Sequence, residues 1–254
     1  MSGTSLEARG SQEPRFSLVV PAFNEERLLP ALLNSVETAR AAYSRGAAAV
    51  EVIVADNAST DGTAELARMR GCTVVHVETR MIAAARNGGA RAARGEIIGF
   101  IDADSVIHPE TFDVIDRLIV SGRYVGGATG ILPERWSLGI AATWYTLSPI
   151  AWALGLDAGV VFCRREDFDA VGGYPEDRLF AEDVAFLMRL RRLGRTRGQR
   201  LARGTAAKAV TSARKFDTYG DWHYFRVMIS AGPLILSRRT PPPWVTGYWY
   251  RPRR

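Results

Sequence analysis

The stretch Glu96-Ile97-Ile98-Gly99-Phe100-Ile101-Asp102-Ala103-Asp104 drives an apolar run into two carboxylates spaced one residue apart. Residues i and i+2 of an extended strand project to the same side, so Asp102 and Asp104 are expected to converge on one point. Converging carboxylates suit a hard divalent cation. The competing reading is a plain turn, because Asp-Ala-Asp-Ser ahead of His108-Pro109 is made of common turn and cap residues. A second acidic pair, Glu182-Asp183, opens a helical pattern, where carboxylates also favour the helix dipole. Asp56, in Asp56-Asn57-Ala58-Ser59, can form an Asx-turn. Arg86 stands in an alanine-rich segment.

These residues need elements to carry them. Ile97 to Ile101 reads as a strand covered on both faces of a parallel sheet, and in such sheets ligands sit beyond the carboxyl ends of the strands. Phe16 to Val20, Val50 to Val54 and Val74 to Val77 read as further strands. Between them, Leu28, Leu29, Leu32, Leu33, Val36 and Ala39 recur at helical spacing. A second helix, capped by Ser59 or Thr60, runs to about Arg70 and is closed by Gly71; a third spans Ile82 to about Arg94, ended by Gly95. Gly88 and Gly89 weaken that third helix and so predict close approach to the sheet. The alternation predicts a doubly wound, mostly parallel α/β sheet flanked by helices.

Beyond Asp104 the pattern gives a helix near Pro109 to Ile119, a strand at Arg123 to Ala128, the uncharged segment Trp136 to Leu156, a strand at Gly159 to Cys163, and a helix from Glu182 to Leu193 ended by Gly194. The expected organisation is a flexible tail over 1–14, a nucleotide-binding half over 15–105, a substrate half of the same domain over 106–235, and a tail over 236–254. That last tail mixes Pro241, Pro242 and Pro243 with Trp244, Tyr248, Trp249, Tyr250 and arginines, which suits disorder, a flap or a strip touching lipid.

With 254 residues and 47% hydrophobic content, the chain has ample material for a core. Its formal charge of +6 suits an anionic ligand or membrane surface, while the lack of zinc-finger spacing or an aromatic RNA-binding signature argues against nucleic acid. Cys72 and Cys163 are far apart in sequence and read as core residues, which fits a reducing cytoplasm. Met1 to Pro14 shows no apolar signal region. Trp136 to Leu156 is diluted by Gly139, Thr143, Thr146, Ser148 and Pro149, so it is expected to pack or lie at an interface rather than span a bilayer. A cytoplasmic protein, compatible with peripheral association at the inner face of the membrane, is the resulting expectation; oligomeric state is not legible.

Five motifs then occur in a telling order: Val20-Pro21-Ala22-Phe23-Asn24-Glu25-Glu26; Asp56-Asn57-Ala58-Ser59-Thr60-Asp61-Gly62-Thr63; Ala85-Arg86-Asn87-Gly88; Asp102-Ala103-Asp104; and Gly172-Gly173-Tyr174 with Glu182-Asp183. Over roughly residues 16–195 the chain resembles the family-2 glycosyltransferases of the GT-A fold. That resemblance implies a metal-dependent, inverting transfer of a sugar from a UDP- or GDP-sugar donor to a hydroxyl of a small-molecule or lipid-linked acceptor. It implies that Pro21, Ala22 and Asn24 line the base slot, with Glu25 near the ribose and Asp56 accepting a base N–H. Arg86 would reach the donor phosphates, with Arg214 as a second contact. Asp102 would contact the ribose, with Ala103 beside it in the nucleotide-sugar site, and Asp104 would hold Mg²⁺ or Mn²⁺. Asp183 would be the general base, with Glu182 orienting the acceptor or supporting the helix start.

Family members often carry two acidic residues where this chain has Asp56-Asn57, which leaves base preference open. His223 could complete a metal site, although a lone histidine between Trp222 and Tyr224 is more often structural. No Q-x-x-R-W signature or set of long apolar spans points to a processive synthase. The alternative from another class is an inactive nucleotide-sugar-binding or membrane-associated partner protein. A Rossmann oxidoreductase lacks its G-x-G-x-x-G after the first strand.

Overall fold

The computed structural model describes residues 13–154, 157–177, 181–223 and 225. The four leading strands, β1 (Phe16–Ala22), β2 (Val50–Asp56), β3 (Thr73–His76) and β4 (Ile97–Phe100), pair in parallel. They are followed by β5 (Ser105–Val106), β6 (Tyr124–Ala128), β7 (Ile131–Pro133), β8 (Val161–Arg164), β9 (Arg200–Arg203) and β10 (Ala209–Thr211). One seven-stranded sheet has the order β3-β2-β1-β4-β8-β6-β9, and a three-stranded sheet has the order β5-β10-β7. Only β8 runs against its neighbours in the large sheet, pairing antiparallel with both β4 and β6. Register sets Val19 of β1 opposite Ile53 and Phe100, and Ala22 opposite Asp56, so the carboxyl ends of β1, β2 and β4 share one edge.

The helices are α1 (Leu29–Ala42), α2 (Thr63–Met69), α3 (Ile82–Ala92), α4 (Thr111–Val120), α5 (Leu138–Leu154), α6 (Arg165–Ala170), α7 (Glu182–Thr196) and α8 (Arg214–Tyr219). Strand β1 explains the layering. Leu18 and Val20 join a core with Leu29, Leu32, Phe112 and Ile115 from α1 and α4, whereas Val19 joins a second core with Phe100, Phe168, Tyr174 and Phe186. Alternate residues thus feed opposite layers, as a strand covered on both faces requires. The glycine pair of α3 has its expected reason: a methyl at Gly88 would stand 2.6 Å from Val77 Cγ2, and one at Gly89 would run into Val19. Cys163 is buried and Cys72 packs against the first core.

Several boundaries differ from expectation. Strand β4 stops at Phe100, and residues 102–105 form a turn closed by the Ser105 amide on the Asp102 carbonyl at 3.1 Å. The alternation that would bring Asp102 and Asp104 to one point therefore does not apply. Helix α2 starts at Thr63 rather than after Ser59 or Thr60, because both hydroxyl residues bond Asn24 instead. Gly194 lies inside α7, where it admits Val125 of β6; the chain reverses after Thr196, with Gly198 at φ 69°. The three-stranded sheet, α6 and α8 have too few residues each to leave a periodic signature. Among the described residues no helix is long and apolar enough to cross a membrane. The expectations for the tail over 236–254 and for most of that over 1–14 lie outside the described residues.

Candidate active site

The loops after β1 and β2 are stitched into one ridge at the carboxyl edge of the sheet. The Asn24 amide donates to Ser59 Oγ at 3.0 Å, and Asn24 Oδ1 accepts the Thr60 amide at 2.8 Å. The Glu25 amide donates to Thr63 Oγ1 at 2.9 Å, and Glu26 Oε2 accepts the Gly62 amide at 3.1 Å. Asp61 closes the ridge by accepting the amides of Thr63 and Glu26, which with the Thr63 hydroxyl hold its carboxyl below the usual range against the effect of burial. Among the described residues, only Asn24, Ala58 and Ala181 have positive φ without being glycine, at 54°, 59° and 56°. Each costs about 1–3 kcal/mol, and such strain gathers at functional sites. All three flank the motif residues: one in each stitched loop, one just before Glu182.

Asp56 is buried at the end of β2, where it accepts the Ser59 amide at 3.2 Å and faces His76 Nδ1 at 3.1 Å. The bond reaches the amide three residues on, one beyond an Asx-turn, and it ties the carboxylate to the loop that follows β2. Asn57 Nδ2 donates to the carbonyls of Val77 and Thr79, at 3.1 and 2.5 Å. An amide suits that place and an ionised acid does not, since two carbonyls need a donor. Beside the slot, the Arg80 guanidinium lies 4.0 Å over the Phe23 ring. Sequence reading missed this pair, although an aromatic in Pro-Ala-Phe-Asn was a signal. The side chains of Ala22 and Ala103 are buried in the first core, so what they offer a ligand is backbone and space; Pro21 is half-buried.

Two arginines gather the carboxylates. Arg86, buried on α3, donates to Asp183 Oδ1 at 2.7 Å, Glu182 Oε1 at 3.0 Å and Asp102 Oδ1 at 2.9 Å, with its guanidinium 5.0 Å from the centre of the Tyr174 ring. Burial opposes its charge, yet Asp183 and Asp102 hold it well above the ordinary arginine value, so it stays cationic. Arg214, the first residue of α8, forks onto Glu25 at 2.7 and 2.8 Å and reaches Asp104 at 3.2 Å. Each of these arginines keeps a buried Nε without a protein partner. Asp102 and Asp104 thus turn to different cations, and the structure brings Glu25, Asp102, Asp104, Glu182 and Asp183 around two guanidinium groups.

That balance leaves the site rich in negative charge. Burial, together with Asp102 and Glu25, raises the Asp104 carboxyl against the opposing pull of Arg214 and Lys215. Burial also pushes the Asp183 carboxyl up to about 7, with Glu182 and Asp102 adding to the rise and Arg86 resisting it. Among the described residues no group of three or more His, Cys, Asp or Glu side chains is placed to hold an ion alone. A Mg²⁺-type cation is commonly held by one or two carboxylates plus substrate phosphates, and the Asp104 carboxylate is an oxygen ligand of that kind once it is released from Arg214, which reaches it at 3.2 Å. His223 is turned elsewhere, its Nδ1 on the Gly220 carbonyl at 2.6 Å.

With this geometry in hand, the fold matches solved glycosyltransferases of the GT-A class. The mannosyltransferase PcManGT from Pyrobaculum calidifontis, solved with GDP-Man and Mn²⁺, superposes with a TM-score of 0.66 at 20% identity, covering 94% of this chain and 69% of that one. Glucosyl-3-phosphoglycerate synthase from Mycobacterium tuberculosis, solved with Mn²⁺, UDP and glucosyl-3-phosphoglycerate, gives 0.51 at 22% identity, covering 70% and 65%. Residues 17–135, a little under half of the chain, match the family model described as Glycosyl transferase family 2. Relatives include the glycosyltransferase AglE of Haloferax volcanii, 32% identical over 103 residues, which are 38% of this chain and 33% of that one. The undecaprenyl-phosphate 4-deoxy-4-formamido-L-arabinose transferase of Pseudomonas paraeruginosa is 37% identical over 115 residues, 41% of this chain and 31% of that one. The match therefore spans about a third of the length of these curated relatives.

Proposed function

We propose that the protein is a metal-dependent, inverting glycosyltransferase that moves a sugar from a UDP- or GDP-sugar to an acceptor hydroxyl. The observation that carries this reading is the Arg86 guanidinium shared by Asp102, on the donor wall, and by Glu182 and Asp183 on α7. One cation thereby sets the base and the donor at a fixed distance from each other. The base slot lies between Asn24, Asp56 and the Phe23–Arg80 pair, where Asp56 accepts a ring N–H that both uracil and guanine possess. Glu25 and Asp102 serve the ribose.

Asp183 takes the proton from the acceptor hydroxyl as that oxygen attacks the anomeric carbon from the face opposite the leaving group. Glu182 orients the acceptor. Arg86 and Arg214 would supply positive charge near the diphosphate, where negative charge grows as the bond breaks. Asp104 would hold Mg²⁺ or Mn²⁺, which would supply further neutralisation of that charge. Support for nucleotide-sugar use comes from the solved relatives bound to GDP-Man or UDP. A lipid-linked acceptor accords with the relative named for transfer to undecaprenyl phosphate.

The decisive variant is Asp183→Asn. It should keep nucleotide-induced thermal stabilisation and lose transfer by roughly 10²- to 10⁴-fold, the usual worth of a positioned general base. Full activity in this variant sinks the assignment of the base. Failure of the wild type to release nucleoside diphosphate with any acceptor favours the inactive binding protein instead.

A further inference from the structure

We propose that the outer face of α5, with Trp136, Tyr219 and Trp222, docks the protein on an anionic lipid bilayer. A surface helix ordinarily turns charge to solvent and apolar residues inward. Helix α5 has 17 residues and no charged one. Ile140 and Thr143 face the protein, while Leu138 is 84% and Tyr145 73% exposed, and Pro149 is exposed as well. Offsets of 7 and 11 residues place Leu138, Tyr145 and Pro149 on one stripe. The outward stripe of this helix is therefore apolar.

Neighbouring segments widen the stripe into a surface. Trp136 is 52% and Trp222 51% exposed, and Tyr219 is about half exposed. The start of α5 is fixed against the segment after α8: Gly139 leaves no room for a methyl against the Asp221 backbone, and Arg135 pairs with Asp217 at 2.5 Å and Asp221 at 2.8 Å. Trp136 meets Trp144 edge-on at 5.8 Å. Tryptophan and tyrosine on a fixed apolar surface match the headgroup level of a bilayer, where one part of each ring is apolar and its polar atom stays wet.

Charge selects the lipid. From Val184 to Phe216 the chain carries ten basic residues and no Asp or Glu. Of these, Lys208 lies against Gly130 next to Asp157, just beyond the end of α5, and Arg203 acts on the same carboxylate. Two basic side chains against one carboxylate leave positive charge beside this end of the aromatic surface, where anionic headgroups are favoured, while at the other end Arg135 is offset by Asp217 and Asp221. Among the described residues no helix is long and apolar enough to cross a bilayer.

The surface also borders the candidate active site. Helix α8 begins at Arg214, which holds Asp104, and ends at Tyr219 in the patch. At 1.5 Å per residue these ends are roughly 8 Å apart. Resting on the function proposed above, the docked protein would meet a lipid-linked acceptor at the membrane plane.

The test is co-sedimentation of the full chain with phosphatidylcholine vesicles, with and without phosphatidylglycerol, beside size-exclusion light scattering. The wild type should pellet with the anionic vesicles and much less with the neutral ones. Leu138→Ser combined with Tyr145→Ser should lower the bound fraction by roughly tenfold, and Lys208→Glu should remove mainly the preference for anionic lipid. Because Leu138 and Tyr145 are exposed, circular dichroism and melting should stay at wild-type values, and Leu138→Ser alone serves if they do not. Absence of vesicle binding by the wild type, or binding unchanged in the double variant, overturns the proposal. So does a concentration-dependent dimer that the double variant dissolves, because a second copy would then own the face. Nucleotide-induced thermal shift, unaffected by these variants, reports separately on the catalytic reading.

Discussion

At the residue scale, Asp183 carries two properties that belong together. A base is useful near neutrality when it gives up its proton there, and burial among Glu182 and Asp102 brings this carboxyl to about 7. Only the ionised form accepts a proton, so kcat/KM should rise with pH through a limb near 7 and level off above it, as a pH–rate profile on the wild type would register. A profile flat from pH 5 to 9 would remove Asp183 from that role. Arg86 sets the other half of the balance. Arg86→Ala leaves Glu182, Asp183 and Asp102 without their shared cation and should cost roughly 3 kcal/mol in chemical unfolding besides abolishing transfer. Arg86→Lys keeps the charge but loses the fork, so it should recover stability more than activity. Both residues were legible from type and motif order; that Arg86 would bond three carboxylates was not, since the partners come from positions 16 to 97 residues away.

At the scale of elements, close approach dictates what the sequence can vary. Gly89→Val puts a branched side chain where a methyl already meets Val19, and should destabilise the fold by about 1–3 kcal/mol in a denaturant titration. Asn57→Asp sets an acceptor against the carbonyls of Val77 and Thr79 and should loosen the loop beyond β3, seen as faster amide exchange there. The leading strands were readable because they are apolar on both faces, and helices α1, α3, α4 and α7 because each is long enough to show its period. Strands β5, β7 and β10 were not, since two or three residues cannot display alternation and their pairing is decided by contacts made late in the chain. The expected convergence of Asp102 and Asp104 failed for a related reason: alternation was extended past Phe100, where the strand had already given way to a turn.

For the whole molecule, the proposed donor site draws its parts from distant positions, as the Glu25–Arg214 pair shows across 189 positions. Ligands that span those parts should stabilise the entire fold. Nucleotide at about 100 times its dissociation constant adds roughly 2.7 kcal/mol, so UDP- and GDP-sugars screened with Mn²⁺ should separate by melting temperature, and silence toward every donor would sink the nucleotide-sugar reading. Strand β8 carries a further meaning. It comes from the later half, yet it lies between β4 and β6 with Ile97 opposite Arg164 and Gly99 opposite Phe162. Grafting a foreign acceptor region after residue 105 would therefore transplant the middle of the central sheet along with the specificity loops. Chimeras with relatives should fold only when their joints leave β4 and its antiparallel partner from the same parent, a boundary that no division of the sequence into two halves would suggest.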